Sequence, residues 1–176
     1  VSLWKNQLVE PEAALAAAAD DIETAAATLY AAYERTLRAY QAVDFDDLIR
    51  LPVKLFGEHD EVAERWRSRL WHVLVDEYQD TNRVQYQLVT QLAAEHTNLC
   101  VVGDGDQSIY GWRGADVGNI LSFEDRYPDA TVLRLTQNYR STRTILRAAN
   151  HVVKNNAARK EKELWTENAV GEPLGL

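Results

Sequence analysis

His72-Val73-Leu74-Val75, running straight into Asp76-Glu77-Tyr78-Gln79-Asp80, and Leu99-Cys100-Val101-Val102, running into Gly103-Asp104-Gly105-Asp106-Gln107, are the two stretches on which the fold turns. Each is a short valine-rich run that stops abruptly at acidic or glycine residues, the pattern of a buried parallel strand. Between them, after Thr81, the segment Arg83–Glu95 sets Val84, Leu88, Leu92 and Ala93 at helical spacing. Strand, helix, strand is a β-α-β unit, and the fold class is α/β with a parallel sheet flanked by helices.

Upstream of this unit the pattern is all-helical. Pro11-Glu12 opens an alanine-rich stretch in which Leu15, Ile22, Leu29, Tyr33, Leu37 and Tyr40 recur at helical spacing, which predicts one long packing helix with its proline in the first turn. A second helix, capped by Asp44, carries Phe45, Leu48 and Ile49; Pro52 should kink or interrupt it before Gly57 ends it. A third places Val62, Trp66 and Leu70 on one side. Downstream, a helix from about Val117 to Tyr127 is followed by the strand-like Thr131-Val132-Leu133-Arg134-Leu135. A last helix, capped by Ser141, presents Ile145, Leu146, Ala149 and Val153 on its apolar face. Pro128-Asp129 marks a lobe boundary.

A chain of 176 residues with 46% apolar content suits one domain or two small lobes with a real core. No apolar run approaches the roughly 18 residues a membrane span needs, and Val1-Ser2-Leu3-Trp4-Lys5-Asn6 is not a secretory leader, so a cytoplasmic setting is expected. Cys100, the one cysteine, sits inside an apolar run and reads as a buried small hydrophobe, which leaves thiolate metal binding out. The chain contains no methionine, which reads as an excerpt of a longer protein. A net charge of −8 argues against a broad electrostatic surface for nucleic acid, although Arg113, Arg126, Arg134, Arg140, Arg143 and Arg147 gather in the second half and permit a local basic groove.

Ligands of open α/β sheets sit beyond the carboxyl ends of the strands, where both acidic clusters fall. An aspartate directly after a hydrophobic strand is where nucleoside triphosphatases hold Mg²⁺, and an adjacent glutamate can reach the water that attacks the γ-phosphate. Asp76 and Glu77 suit those roles, although carboxylates also end strands and favour helix N-termini with no chemistry involved. Gly103–Gln107 makes a turn from which a neutral amide can sense a phosphate or its water. Tyr110 and Trp112 then stand beside Arg113 between Gly111 and Gly114. Aromatics interleaved with arginine offer stacking faces to bases and a cation to phosphate, the alternative being core packing of either ring.

Taken together, Val75–Asn82, the loop Gly103–Ala115 and Gln137-Asn138-Tyr139-Arg140-Ser141 resemble motifs II, III and IV of the superfamily 1A DNA helicases of the Rep/UvrD/PcrA type, in order and in spacing. Val1–Lys5, Val43–Ile49 and Leu164-Trp165-Thr166 extend the resemblance over essentially the whole chain. It implies a partial RecA-like P-loop NTPase fold in which residues 1–70 close the inserted helical subdomain 1B. Residues 71–127 would form the back half of the first RecA-like lobe, 1A, and 128–176 the start of the second, 2A. It implies Asp76 as the ligand of the Mg²⁺ of MgATP, Glu77 as general base and Gln107 as the coupler of the γ-phosphate to the DNA loop. Tyr139 would stack on adenine, Arg140 would be an arginine finger across the cleft, and Tyr110, Trp112 and Arg113 would lie along single-stranded DNA. Asp44, Asp46 and Asp47 match a family segment too, but capping and solvation explain them equally well.

The implied function is an ATP-dependent 3′–5′ helicase or translocase in repair or replication restart, using ATP and Mg²⁺. Its partners would be single-stranded DNA, junctions with duplex, and the remaining parts of the helicase chain. The rivals are the helicase portion of a RecB- or AddA-like nuclease-helicase, and a truncated homologue that only binds DNA or a partner. Gly105 stands where the family commonly has a second acidic residue, and Thr136 where it commonly has glutamate. The sequence contains no Gly-x-x-x-x-Gly-Lys-Ser/Thr, the loop that cradles the β- and γ-phosphates, so this piece alone is expected not to hydrolyse ATP.

Overall fold

Three carboxylates converge on one buried lysine in the N-terminal half, and that cluster organises the helices around it. The computed structural model describes residues 1–175. Helix α1 (Ser2–Asn6) lies across α2 (Pro11–Ala17), α3 (Asp21–Ala39) and α4 (Asp47–Glu58), and α5 (Asp60–Arg67) follows. Lys5 on α1 is 0% exposed, and its Nζ lies 2.7 Å from Glu34, 2.7 Å from Asp44 and 2.9 Å from Asp47. Arg50 on α4 reaches the same Glu34 and Asp47 and also Glu10, so the charges form a continuous network rather than isolated pairs. Beside it, Trp4 stacks on Tyr30 at 5.7 Å between ring centres, and Ala14, Ala27 and Tyr30 form a small core.

This arrangement departs from the helix read in the sequence in two ways. The long helix is two, because Asp20 accepts a 2.7 Å hydrogen bond from the Glu23 amide and Glu23 accepts from the Ala19 amide, a reciprocal cap that starts α3 afresh. The stripe Leu15, Ile22, Leu29, Tyr33 and Tyr40 is largely exposed, and the inward face of α3 is instead Ala27, Tyr30 and Glu34. The rotation is set by the tryptophan stack and by Glu34's bonds to Lys5 and Arg50, which outrank a count of aliphatic residues.

Helix α4 runs through Pro52 without a break and carries Gly57 inside its last turn. Asp46 and not Asp44 holds the cap position and makes no side-chain cap bond, but Asp44, two residues earlier, accepts from the Asp47 amide through Oδ1 at 2.9 Å while spending its other oxygen on Lys5. The buried face of α4 is Asp47, Arg50, Val53 and Phe56, and Phe45 and Leu48 are exposed. In α5, Ala63 is the buried residue and Trp66 lies partly in solvent.

The β-α-β unit is present. Strands β1 (Val73–Val75) and β2 (Leu99–Val101) pair in parallel, with Leu74 opposite Cys100, and α6 (Arg83–Leu92) connects them. Asn82 and Gln85 close a capping box at the start of α6. The strands are not buried on both faces. Val73, Val75, Leu99 and Val101 turn inward, whereas Leu74 and Cys100 are exposed, which corrects the reading of Cys100 as a core residue. Period-2 alternation sends those two side chains to the sheet face that carries no covering element among the described residues.

Beyond β2 the predicted helix is two short ones, α7 (Gly118–Leu121) and α8 (Phe123–Arg126). They part at Ser122, whose hydroxyl bonds back to the Gly118 carbonyl at 2.6 Å. Thr131–Leu135 forms no strand: it has no ladder partner among the described residues, and Leu133 is 81% exposed. Helix α9 (Arg143–Val153) follows, with Thr142 and not Ser141 in the cap position. Its first amides are satisfied by the chain returning alongside, Arg143 donating to the Ala169 carbonyl at 3.1 Å and Thr144 to that of Val170 at 3.0 Å. The architecture is therefore helix-rich around one small parallel sheet, and no described helix is long and apolar enough to cross a membrane.

Candidate nucleotide and nucleic-acid site

At the carboxyl end of β1 the chain makes a tight corner. Asp76 and Glu77 are both exposed there; Asp76 accepts from the Glu77 amide through Oδ1 at 2.9 Å, which leaves its second oxygen free. Glu77 has φ +50° and ψ +42°, a left-handed conformation that costs a side-chain-bearing residue about 1–2 kcal/mol. A 3₁₀ turn, Tyr78–Asp80, follows at once, and the Tyr78 amide donates to the Val102 carbonyl. Tyr78 is buried edge-on against Phe123 at 5.8 Å, and burial pushes its phenol up to about 12.

The loop after β2 packs directly onto this corner. Asp104 caps a 3₁₀ turn, Gly105–Gln107, accepting from the Asp106 amide, and the Gln107 side chain donates to its Oδ2 at 2.9 Å. Burial alone would raise the Asp104 carboxyl, but the hydrogen bond from Lys162, then those from Gln107 and Asp106, hold it below its ordinary value. Asp106 in turn bonds Arg159 at 2.8 Å and Asn156 at 3.0 Å. The segment 156–162, which follows α9, is thereby tied to the loop after β2. Asp76, Glu77 and Gln107 are brought together through two intermediaries: the Gln79 side chain bonds both Glu77 and the Asp104 amide, and the Asp104 carboxylate in turn accepts from Gln107.

The loop continues into a second 3₁₀ turn, Gly111–Arg113, closed by Gly114 at φ +86°. Trp112 is 72% exposed, and Ile109 and Tyr110 also face solvent. The Arg113 guanidinium carbon sits 4.8 Å from the Trp112 ring centre and 5.8 Å from that of Tyr110. Core packing is thus the wrong account of Trp112; the three side chains form an open aromatic-cationic platform of the kind on which bases stack.

Tyr139 and Arg140 form a separate cluster. Asn138 accepts from the Arg140 and Ser141 amides, Asn168 donates to the carbonyls of Tyr139 and Ser141, and this frame presents both side chains outward. Tyr139 is 78% exposed and bonds Gln137 through its hydroxyl. Among the described residues, no hydrogen bond or ion pair joins Tyr139 or Arg140 to Asp76, Glu77 or Gln107.

A fingerprint of motifs at these positions finds its counterpart in known proteins. Residues 1–128 match the UvrD/REP helicase N-terminal domain, and residues 133–176 match the UvrD-like helicase C-terminal domain. The chain belongs to the UvrD/REP helicase family. Its relatives include the ATP-dependent DNA helicase PcrA of Bacillus subtilis (strain 168), 55% identical over 97% of this chain and 23% of that protein. The PcrA of Staphylococcus aureus (strain Mu50) is 53% identical over 99% of the chain and 24% of that protein. That of Staphylococcus epidermidis is 52% identical over the same shares. The chain therefore spans about a quarter of the length of the curated relatives it matches. Within the UvrD/REP frame the sequence reading overlooked Gln79, a neutral amide among four acidic neighbours in Asp76–Asp80 and 104. The signal was its position: an uncharged residue between carboxylates, at a corner where charge would have been soluble and an amide had to be chosen for its two-sided bonding. It overlooked Lys162 and Arg159 as well, which nothing in their local sequence distinguishes from solvated lysines and arginines.

The donor set suits the groups a nucleotide site needs. Mg²⁺ prefers one or two carboxylates and keeps waters and phosphate oxygens for the rest of its shell. The free oxygen of Asp76 fits that habit.

Proposed function

We propose that the protein to which this chain belongs is an ATP-driven helicase or translocase moving 3′ to 5′ on single-stranded DNA, acting in repair or replication restart. The observation that carries this reading is the bonded continuity from the Asp76–Glu77 corner to Gln107 and on to the exposed Tyr110–Trp112–Arg113 platform. One loop thus serves both a phosphate-sensing position and a base-stacking surface, as an engine that converts hydrolysis into movement on DNA requires.

In this reading residues 71–127 are the back half of a first RecA-like lobe and 128–176 the start of a second, with 1–70 closing an inserted helical subdomain. Asp76 would hold Mg²⁺ through its free oxygen, and the bound metal would supply charge neutralisation on the phosphates. Glu77 accepts the proton of the attacking water, Gln107 senses the γ-phosphate, and Tyr139 stacks on the adenine. Arg140, held outward by the Asn138–Asn168 frame, serves as an arginine finger, which stabilises charge only in the transition state. The platform grips single strands and their junctions with duplex without sequence preference. Without a phosphate-cradling Gly-x-x-x-x-Gly-Lys-Ser/Thr loop, this piece alone does not hydrolyse ATP in this reading.

The test is Glu77→Gln in the full-length protein. Nucleotide binding should persist while DNA-stimulated ATP hydrolysis falls by about two or more orders of magnitude. Turnover close to that of the unmodified protein would remove Glu77 as the base and, with it, the core of this reading.

A further inference from the structure

We propose that Gln79 is a positioning residue: it orients Glu77 for proton transfer and makes that orientation depend on the loop Gly103–Gln107. The inference rests on the reading of Glu77 given above. Gln79 is 1% exposed, and every polar atom of its amide is engaged. Its Nε2 donates to Glu77 Oε2 at 2.7 Å and to Asp80 Oδ2 at 3.2 Å, and its Oε1 accepts from the Asp104 backbone amide at 2.9 Å. The partners themselves fix which end is which, since a carboxylate only accepts and a backbone N–H only donates. The approach is close enough that a Cβ on Gly103 would lie 2.5 Å from Gln79 Oε1, so the glycine is what lets loop and amide meet.

Three features show that this contact is more than filling. Glu77 occupies a left-handed backbone conformation, which persists only when the surroundings over-determine it. Of its two carboxylate oxygens, one is held by Gln79, which leaves the other to face a reacting water. Finally, the chain of bonds does not stop at Asp104, whose side chain accepts from Gln107 and pairs with Lys162. Glu77, Gln79, Asp104 and Gln107 are therefore linked in series. The amide plane is rigid, so displacing the loop, for example when its continuation at Tyr110–Arg113 engages a DNA strand, must either rotate Glu77 or break a buried bond. A side chain with a donor and an acceptor at opposite edges of one plane is what this relay requires, and only Gln has that at this reach; Glu keeps the acceptor and loses the donor, and Met loses both.

The test uses the full-length protein and single-turnover ATP cleavage with saturating single-stranded DNA, each rate expressed per nucleotide-binding site measured by titration with a fluorescent ATP analogue. Gln79→Met should slow cleavage about 10- to 100-fold, the usual effect of misplacing a reacting group by an ångström or less, with nucleotide affinity changed by no more than about twofold. Gln79→Glu, nearly isosteric, should slow it comparably, and it carries the test by itself if the methionine variant fails to bind nucleotide. In a Glu77→Gln background, adding Gln79→Met should slow the residual reaction no more than about twofold, because the residue acts through Glu77. A rate in the single variants within about twofold of the unmodified protein would overturn the proposal, as would an equal loss in both backgrounds, the mark of a merely structural role. Normal cleavage by Glu77→Gln alone would instead overturn the base assignment on which the proposal stands, so the two failures are distinguishable.

Discussion

Replacing Lys5 by methionine should destabilise the N-terminal helices by about 3–5 kcal/mol, the cost of leaving buried carboxylates without their partner. The ammonium is 0% exposed and lies within 2.9 Å of Glu34, Asp44 and Asp47. At an effective dielectric near 20, each such contact is worth a gross attraction of about 6 kcal/mol, most of it offset by desolvation and by repulsion among the acids themselves. With Lys5 gone, Arg50 and the half-exposed Lys54 would face Glu10, Glu34, Asp44 and Asp47, two cations against four carboxylates. Methionine fills the volume of the lysine stem, so the loss is electrostatic and not a cavity effect.

The pH dependence follows from the direction of each shift. Burial alone would lower the Lys5 ammonium, but its bonds to Asp44, Glu34 and Asp47 outweigh that and hold it above its ordinary 10.5; its contribution is present below that value and is lost only as pH rises beyond it. Burial would raise Asp44, but Lys5, the Asp47 amide and Tyr33 hold it below its ordinary 3.8; its contribution is present above that value and disappears as pH falls through the lower one. The gap between the two proteins should therefore be widest from about pH 5 to 10 and should close below about pH 4. Hydrogen exchange resolved to α3 and α4 is the suitable assay, since it isolates these helices from the rest of a large protein. Amides there should exchange about two to three and a half orders of magnitude faster in Lys5→Met at neutral pH, following from roughly 1.4 kcal/mol per tenfold. A difference below about tenfold, or one that does not shrink on acidification, would refute the account of the network as a stabilising assembly of ionised groups.

Two further substitutions probe separate layers of the structure. Trp112→Ala should weaken single-strand affinity by about 1–3 kcal/mol per base lost from the stack while sparing nucleotide binding; fluorescence anisotropy with an oligonucleotide measures it, and unchanged affinity would take the platform out of the DNA path. Asn82→Ala removes the capping box of α6 together with the 2.8 Å bond from Asn82 to Asn6, and should cost about 1–2 kcal/mol in urea denaturation. Asn82→Asp keeps the cap oxygen and should fall between the two, so an alanine variant as stable as the unmodified protein would mean that α6 does not depend on its cap.

The α/β element was legible because it rests on local rules. Valine-rich runs ending in acids, with a 3.6-period segment between them, identify β1, α6 and β2 wherever the rest of the chain lies. The failures have a common origin in partners that are remote in sequence. Thr131–Leu135 has the composition of a strand, but a strand exists only when a neighbour supplies its ladder, and no composition carries that information. The orientation of α3 was misread because Leu15, Ile22 and Leu29 satisfy the apolar pattern, while the face actually buried is chosen by Trp4 and Lys5, which lie 26 and 29 positions from their partners Tyr30 and Glu34. Asp44 and Asp47, explicable in sequence as caps and solvated acids, both hold a buried lysine, and Asp44 also accepts from the Asp47 amide at the start of α4.

The candidate site shows the converse. Residues proposed for chemistry are exposed and meet their ligands from outside, so their types and spacing survive in the sequence as a motif even when the fold around them is misjudged. Gln79 escaped for the same reason that Lys5 did: it is buried, and its meaning lies in what it touches. Asp104 is 25 positions away, yet the bond to its amide is what turns two separate acidic clusters into one unit. A buried polar side chain unpaired with its partner costs about 1–3 kcal/mol, so a fold keeps one only where both ends of it are satisfied. At the Asp76–Glu77 corner those ends are a carboxylate proposed to move a proton and a loop proposed to touch DNA. The buried amide thus carries a functional argument that neither exposed motif makes alone, because it is the residue whose geometry requires the two motifs to move together.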